Sequence, residues 1–204
     1  MTGLTEPQQF DVMIDIETLG VSRIAPMMSL GACIFDRYSG NILSEFYEVI
    51  RASDVVEHGN FEAHTLSWWF KQSREAKQGL LPEDGLSYTD VLYNFLNWLK
   101  VDFTSKTGLS QHIFWANGPS FDIEILNEHF NRYSENRSLL RSPWHYRNIR
   151  DCRTMWDLYG ERPFWDFLGD PHLNAGVKHN ARYDAILQAR QISLIFRMMI
   201  KKER

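Results

Sequence analysis

The sequence predicts an α/β domain in which a mixed sheet is flanked by helices. Two patterns predict this class: three strand-like apolar segments come first, and helical segments of 3.6-residue periodicity follow with short strands between them. With 204 residues, of which 44% are hydrophobic, the chain can bury a large core as one domain. The sequence contains no repeat and no linker-like tract, so we predict a single domain over 1–204, with 1–9 as a loose lead-in.

The first three segments predict an antiparallel meander. An apolar run from Phe10 to Ile14 predicts a buried strand that leads into Asp15-Ile16-Glu17-Thr18. The apolar segment 27–35 predicts a second strand, and the alternation over 42–50 predicts a third. A turn signal, Tyr-Ser-Gly-Asn, lies within 36–41, which favours a short antiparallel connection.

The remaining segments predict helices that alternate with short strands and add parallel strands to the sheet. Apolar periodicity predicts helices over 61–77, 87–99, 120–130, 151–159 and 181–201. Short strands are predicted over 111–116 and 146–149, and loops over 79–85, 134–143 and 160–176. On the first of these helices we predict Trp68 and Trp69 in the core, and a solvated basic face formed by Lys71, Arg74 and Lys77.

Composition narrows the range of partners. A formal net charge of −4 gives no global basic footprint, so any nucleic acid would have to be bound locally. Cys33 and Cys152 are too few for a disulfide framework and are interpreted as reduced thiols. Residues 1–9 lack the pattern of a secretory signal, and the apolar segment 192–200 is too short to span a bilayer. We therefore expect a cytoplasmic protein without a membrane partner.

Four carboxylates stand out because they fall where the predicted elements end or begin. Asp15 and Glu17 are two residues apart on a strand, so they should project from the same face of the sheet. Two like charges at an apolar edge must share a proton or bind a cation. Asp122 falls in the first turn of a helix after a strand, and Asp184 lies near the start of the last helix, so both can reach the same rim.

Three segments resemble the motifs of the DEDDh (proofreading-type) exonuclease superfamily, and the resemblance spans nearly the whole chain. Asp15-Ile16-Glu17-Thr18 matches D-x-E-T, the segment 117–122 matches N-x-x-x-F-D, and 179–184 matches H-x-x-x-x-D, in the required order. The segments 15–20 and 65–70 also resemble the small branch that contains phage-type exonuclease A and a mycobacterial exoribonuclease.

This resemblance implies a ribonuclease H-like fold and a metal-dependent 3′-5′ exonuclease. Such an enzyme releases nucleoside 5′-monophosphates from single-stranded or frayed ends of DNA or RNA, using two divalent ions, Mg²⁺ or Mn²⁺. By the family pattern His179 is the general base that accepts a proton from the attacking water. The implied metal ligands are Asp15, Glu17, Asp122 and Asp184. The residues implied to form the pocket for the terminal nucleotide are Thr18, Leu19, Asn117 and Phe121.

Other interpretations stay open at this level. The same fold could serve as a catalytically idle module that binds nucleic acid or a protein partner, whereas a mononuclear iron oxygenase fits poorly because no suitable second histidine is evident. Asp151 is interpreted as a helix N-cap, with a role in orienting the site as the alternative. Tyr183 and Ser29 depart from acidic residues that are common in the family, which could alter substrate choice. The sequence indicates neither the preferred sugar nor the preferred strandedness. It also leaves the oligomeric state open, with a homodimer as one option.

Overall fold

A computed structural model describes residues 10–102, 112–134, 140–159 and 176–202. In these ranges five strands form one sheet, and seven α-helices surround it. The strands are β1 (Asp11–Thr18), β2 (Met27–Phe35), β3 (Ile42–Val49), β4 (Ile113–Ala116) and β5 (Ile149–Asp151). The helices are α1 (Ala52–His58), α2 (Ala63–Lys71), α3 (Arg74–Lys77), α4 (Tyr88–Asp102), α5 (Asp122–Ser134), α6 (Cys152–Tyr159) and α7 (Ala181–Lys202).

The sheet is mixed, as predicted, and its order is β3-β2-β1-β4-β5. The strands β1, β2 and β3 pair antiparallel and form the expected meander. The strands β4 and β5 add on parallel to β1. The central strand β1 therefore lies between an antiparallel and a parallel neighbour, and the fold class predicted from the sequence is confirmed.

Two local predictions were wrong, and one helix was missed. The helix predicted over 61–77 is two helices, because the Ser73 side chain accepts the N–H of Ala76 and starts α3 as a separate helix. The helix α1 was not predicted at all. The strand predicted over 146–149 begins later: Tyr146–Asn148 is a 3₁₀ turn, and β5 starts at Ile149.

Some predictions fall on residues that the structure does not describe. These are the lead-in 1–9, most of the loop 160–176 and part of the loop 134–143. Lys71, Arg74 and Lys77, by contrast, are all exposed, which confirms the solvated basic face.

Two hydrophobic layers cover the sheet, and the alternation of β1 divides between them. Val12, Ile14 and Ile16 point into the larger core cluster, which includes residues of α1, α4 and α5. Met13 points into the other cluster, which is formed with α6 and α7. Asp15 and Glu17 have the same parity as Met13, so they project from the face that α7 covers.

The start of α7 lies in close contact with the backbone of β2. Gly31 of β2 pairs with Asp15 of β1. A Cβ atom on Gly31 would lie 2.1 Å from the carbonyl carbon of Ala181 and from the nitrogen of Arg182, so only glycine permits this approach. The first turn of α7 is thereby placed directly beside Asp15.

The two cysteines agree with the expectation from composition. Cys33 and Cys152 are buried thiols that form no disulfide. Burial raises the pKa of both groups, so they remain protonated and behave as small hydrophobic side chains. Among the helices of the described residues, none combines the length and the apolar character needed to cross a membrane.

Candidate active site

Two carboxylates project from the end of β1 toward α7. Asp15 is partly buried, and Glu17 is 8% exposed. The register with β2 shifts between Glu17 and Thr18, so regular pairing of β1 stops directly after the second carboxylate. The predicted common orientation of Asp15 and Glu17 is confirmed by their contacts with the residues of α7 described below.

Asp122 approaches from the neighbouring parallel strand. Ala116, the last residue of β4, pairs with Ile14, so the chain leaves β4 beside the end of β1. After the turn 117–121 it starts α5 at Asp122, which is 3% exposed. Its Oδ1 accepts the backbone N–H of Ile16 at 3.3 Å. Asp122 is therefore hydrogen-bonded to the backbone of Ile16, the residue between Asp15 and Glu17.

Asp184 and His179 come from the first turn of α7 and the residues before it. The Oδ2 of Asp184 accepts the backbone N–H of His179 at 2.9 Å. The potential ligand atoms of Glu17, His179 and Asp184 all lie within 4.8 Å of one another. The structure therefore brings together all five residues that the motifs single out, although they are distributed over three distant parts of the sequence.

Burial and mutual repulsion dominate the electrostatics of this cluster. Burial raises the pKa of Asp15 well above its usual range, and the charges of Asp122, Glu17 and Asp184 raise it further. Burial is also the main cause that raises the pKa of Glu17 to about 8, of Asp122 to about 7 and of Asp184 to about 6. In the absence of cations, ionising all four carboxylates near neutral pH is therefore unfavourable.

The donor set fits divalent cations. Carboxylate oxygens are the hard ligands that Mg²⁺ and Mn²⁺ prefer, and four of them converge here. Within the described ranges none of the four forms a salt bridge with a basic side chain. The charges of Arg153 and Lys178 lower the pKa of Asp122 and of Asp184, but burial outweighs them. Two divalent ions would balance four carboxylates and offset the repulsion that adds to burial in raising the pKa values of Asp15 and Glu17.

The raised pKa values predict how metal-free stability depends on pH. A carboxyl whose pKa is higher in the folded than in the unfolded state stabilises the fold at low pH, and this stabilisation is lost as the pH rises through the folded-state pKa. The relevant values are about 8 for Glu17, about 7 for Asp122 and about 6 for Asp184. Thermal unfolding in chelator should therefore give a Tm that falls between about pH 5 and pH 8.

Adding Mg²⁺ or Mn²⁺ in the same experiment should raise the Tm most at the upper end of this range, because the ions compensate the charges that ionise there. A metal-free Tm that is constant or increases over this interval would contradict the prediction.

Gln188 is a site residue that the motif comparison did not find. It lies one turn after Asp184 on α7, and it is 7% exposed. Its Nε2 donates to Oδ1 of Asp15 at 2.9 Å. A spacing of four residues places both side chains on the same face of the helix, so helical periodicity could have indicated it. Gln188 therefore fixes the orientation of the Asp15 carboxylate.

We expect Gln188→Ala to weaken divalent-metal binding about 10- to 100-fold, because residues that orient a ligand have effects of this size. Titration calorimetry with Mn²⁺ would measure the change. Gln191→Ala is the matched control, because it makes the same chemical change at the next glutamine of α7. Unchanged affinity in Gln188→Ala would show that Asp15 is oriented without it.

A pocket of about 510 Å³ lies on one side of the carboxylate cluster. Thr18 and Phe121, two residues predicted to bind the terminal nucleotide, are among its lining residues. Leu19 packs into the larger core cluster and is 5% exposed. Asn117 accepts a hydrogen bond from Nε of Arg153 through its Oδ1, at 3.1 Å. The remaining lining residues are Gly20, Val21, His64, Thr65, Trp68, Trp69 and Lys71.

The structure tests two further predictions, one for Asp151 and one for the two adjacent tryptophans of α2. Asp151 is an N-cap of α6, since its Oδ1 accepts the N–H of Arg153 and its Oδ2 accepts the hydroxyl of Thr154. The prediction of two core tryptophans is right for Trp69, which is 6% exposed, and wrong for Trp68, which is 41% exposed. Trp68 lies in the pocket wall instead, because its position on α2 faces the site and not the sheet.

A mixed sheet that brings four carboxylates and a histidine to one rim is the arrangement that the motifs predict for a 3′-5′ exonuclease, and comparison with known proteins confirms this enzyme class. The chain belongs to the 3′-5′ exoribonuclease Rv2179c-like domain family, whose model matches residues 10–196. The resemblance inferred from the three motifs is therefore confirmed over nearly the whole chain.

Individual relatives agree with this assignment. An exodeoxyribonuclease of Enterobacteria phage T4 is 28% identical over 165 residues, which cover 71% of this chain and 70% of the phage protein. The fold is similar to zinc-bound E. coli exonuclease I in complex with single-stranded DNA, with a TM-score of 0.58 and 14% identity. That alignment covers 97% of this chain but only 41% of exonuclease I, so the chain spans less than half of that protein's length.

A second solved structure matches along nearly its whole length. The nuclease domain of 3′hExo, a DEDDh family member bound to rAMP, gives a TM-score of 0.54 at 12% identity. The alignment covers 96% of this chain and 93% of that domain. At this level of identity the solved structures establish the fold and not the substrate.

Proposed function

We propose that the protein hydrolyses single-stranded or frayed nucleic acids from the 3′ end and releases nucleoside 5′-monophosphates. The observation that carries the proposal is the convergence of Glu17, His179 and Asp184 within 4.8 Å, with Asp15 and Asp122 beside them. Exonuclease I and 3′hExo, described above with single-stranded DNA and with rAMP, support a nucleic acid as the partner.

In this proposal Asp15, Glu17, Asp122 and Asp184 would hold two divalent ions, Mg²⁺ or Mn²⁺. When bound, such ions polarise the phosphate and neutralise the charge that develops on the departing 3′ oxygen. The protein's contribution is a rigid arrangement of ligands. Asp15 and Glu17 are fixed on the central strand, and backbone N–H groups bond to Asp122 and Asp184.

His179 is proposed as the general base. Burial lowers the pKa of its imidazole, and the charge of Lys178 lowers it further, so the ring is neutral at pH 7 and can accept a proton. The oxygen of a water molecule attacks the phosphorus while a ring nitrogen of His179 takes its proton. The bond between phosphorus and the 3′ oxygen breaks, and this oxygen is protonated from solvent.

The pocket of about 510 Å³ is proposed to receive the terminal nucleotide. Thr18 and Phe121 line it, and we extend the proposal to their neighbours Leu19 and Asn117, as the family resemblance implies. Contacts of aromatic rings with a base do not depend on which base is bound. Little sequence preference is therefore expected.

Relatives of this chain are named for both sugars. The matching family is described as exoribonucleases, whereas the phage relative is an exodeoxyribonuclease. Matched DNA and RNA oligonucleotides, single-stranded and duplex, would determine which substrate is cleaved fastest.

We propose the cytoplasm as the location of the protein. The two thiols, interpreted as reduced, and the proposed nucleic-acid substrate agree with this location.

We expect His179→Ala to lower kcat about 10²- to 10⁴-fold, the usual contribution of a general base. The change in kcat would be measured as release of mononucleotides in the presence of Mg²⁺ or Mn²⁺. The substrates would be oligonucleotides with a free 3′ end and, for comparison, with a blocked 3′ end. His145→Ala is the matched control, because His145 is exposed and belongs to the loop before the 3₁₀ turn. Tight oligonucleotide binding without turnover by the unmodified protein would instead support the catalytically idle module.

A further inference from the structure

The adjacent tryptophans of α2 contact two different parts of the active site. The indole Nε1 of Trp69 donates to the carbonyl of Thr18, at the end of β1, over 2.8 Å. The ring of Trp68 lies against the imidazole of His179, with ring centroids 4.8 Å apart and planes at 82°. The two indoles also contact each other edge to face, at 5.0 Å. The helix α2 therefore connects the carboxylate-bearing strand to the histidine.

The backbone of His179 is fixed, but its ring depends on few contacts. Its φ of 64° lies in the left-handed region, which non-glycine residues occupy mainly where the surrounding structure holds them. Its N–H is bonded to Asp184. Within the described ranges no hydrogen bond reaches the imidazole nitrogens, and the ring contacts it makes are with Trp68 and, at 6.3 Å, with Trp69.

We propose that Trp68 is a positioning residue that holds the imidazole of His179 in the orientation needed to accept the proton. This inference rests on the role of His179 proposed above. Edge-to-face packing of aromatic rings restricts their relative orientation. A displacement of about 1 Å in a reacting group can lower the rate about 100-fold, so a contact that only limits rotation of the ring has a large effect on turnover.

The exposure of Trp68 makes a purely structural role a poor explanation. Its side chain is 41% exposed, whereas its neighbour Trp69 is 6% exposed and belongs to the core cluster. Removing the Trp68 ring should therefore affect the fold much less than removing that of Trp69. Trp68 also lines the pocket, so the competing role is direct contact with the substrate.

Kinetics separate these two roles. We expect Trp68→Ala to lower kcat about 10- to 100-fold with little change in KM, and Trp68→Phe to retain most of the activity because an aromatic edge or face remains. In a His179→Ala background Trp68→Ala should have almost no further effect on kcat, since residues that act through one another give non-additive changes. Phe70→Ala is the control: it removes another aromatic ring of α2, and Phe70 is 79% exposed.

A spectroscopic measurement on the metal-free protein gives an independent test. The ring protons of His179, assigned by their loss in His179→Ala, should be shifted by the ring current of Trp68. Trp68→Ala should move these resonances and leave those of His145 unchanged. Unmoved His179 resonances would overturn the proposal.

The kinetic outcomes that contradict it are equally distinct. An increase in KM at constant kcat, or losses in Trp68→Ala and His179→Ala that multiply in the double variant, would show that Trp68 acts on the substrate directly. If His179→Ala itself does not lower kcat, the proposed general base is wrong and this inference falls with it. If only Trp68→Ala is without effect, the general base stands and the positioning role alone is refuted.

Discussion

Asp15→Asn is expected to abolish exonuclease activity while making the metal-free protein more stable. The amide keeps the shape of the carboxyl and an oxygen that can accept the Nε2–H of Gln188, so the fold is preserved. It loses the charge needed to hold a divalent ion. Because such an ion supplies several kcal/mol of transition-state stabilisation, we expect the rate to fall by about 10³-fold or more.

The gain in stability has a separate cause. Burial and three neighbouring carboxylates raise the pKa of Asp15 well above its usual range, so at pH 8 folding requires either uptake of a proton or burial of a repelled charge. Asparagine removes this cost. The Tm of Asp15→Asn in chelator at pH 8 should exceed that of the unmodified protein, and added Mg²⁺ should narrow or reverse the difference.

Asp157→Asn is the matched control, because it makes the same chemical change at an exposed position of α6. It should alter neither activity nor metal-free stability appreciably. Activity that persists in Asp15→Asn, or in the unmodified protein with excess chelator, would contradict the metal-dependent mechanism.

Gly31→Ala should eliminate activity by displacing α7 without changing any residue that contacts substrate. The added Cβ would lie 2.1 Å from backbone atoms of Ala181 and Arg182, and a backbone cannot rotate out of the way as a side chain can. The helix must therefore shift and carry Asp184 and His179 away from Glu17. Overpacking of this kind typically costs about 1–3 kcal/mol, and we expect the upper end or more, since the clash involves main-chain atoms.

Denaturant unfolding and the single-turnover rate would measure the two effects together. Asp184→Asn provides the comparison, because it should lose activity without losing stability. Gly31→Ala should lose both, and its metal affinity should fall even though all four carboxylates remain. Normal activity in Gly31→Ala would show that α7 tolerates movement relative to β2.

The parts of this site that follow from local periodicity could be predicted from the sequence. The two-residue repeat of a strand places Asp15 and Glu17 on one face, and a helix that follows a parallel strand brings Asp122 to the same rim. The order of elements also predicted the mixed sheet. These inferences succeed because they depend on neighbours in sequence.

The features that sequence analysis missed depend on distances between remote segments. Trp68 and Trp69 are adjacent on α2 and so point about 100° apart, and only the packing of α2 against the end of β1 shows which one enters the core and which one contacts His179. The role of Gly31 likewise requires knowing that α7 lies on β2. Gln188 falls between these cases, since its spacing from Asp184 was visible but its partner, Asp15, was not.

The contact of α7 with Gly31 can form only after α7 has been synthesised, because α7 follows every other described element in the chain. A ribosome that has made the chain only as far as α6 has produced Asp15, Glu17 and Asp122, but neither His179 nor Asp184. The contacts of the last described helix with the first two strands join segments that are far apart in the sequence, and closing such a long loop costs conformational entropy. The nascent protein therefore lacks His179 and Asp184, and with them the complete carboxylate cluster, while it is still close to the messenger RNA that encodes it.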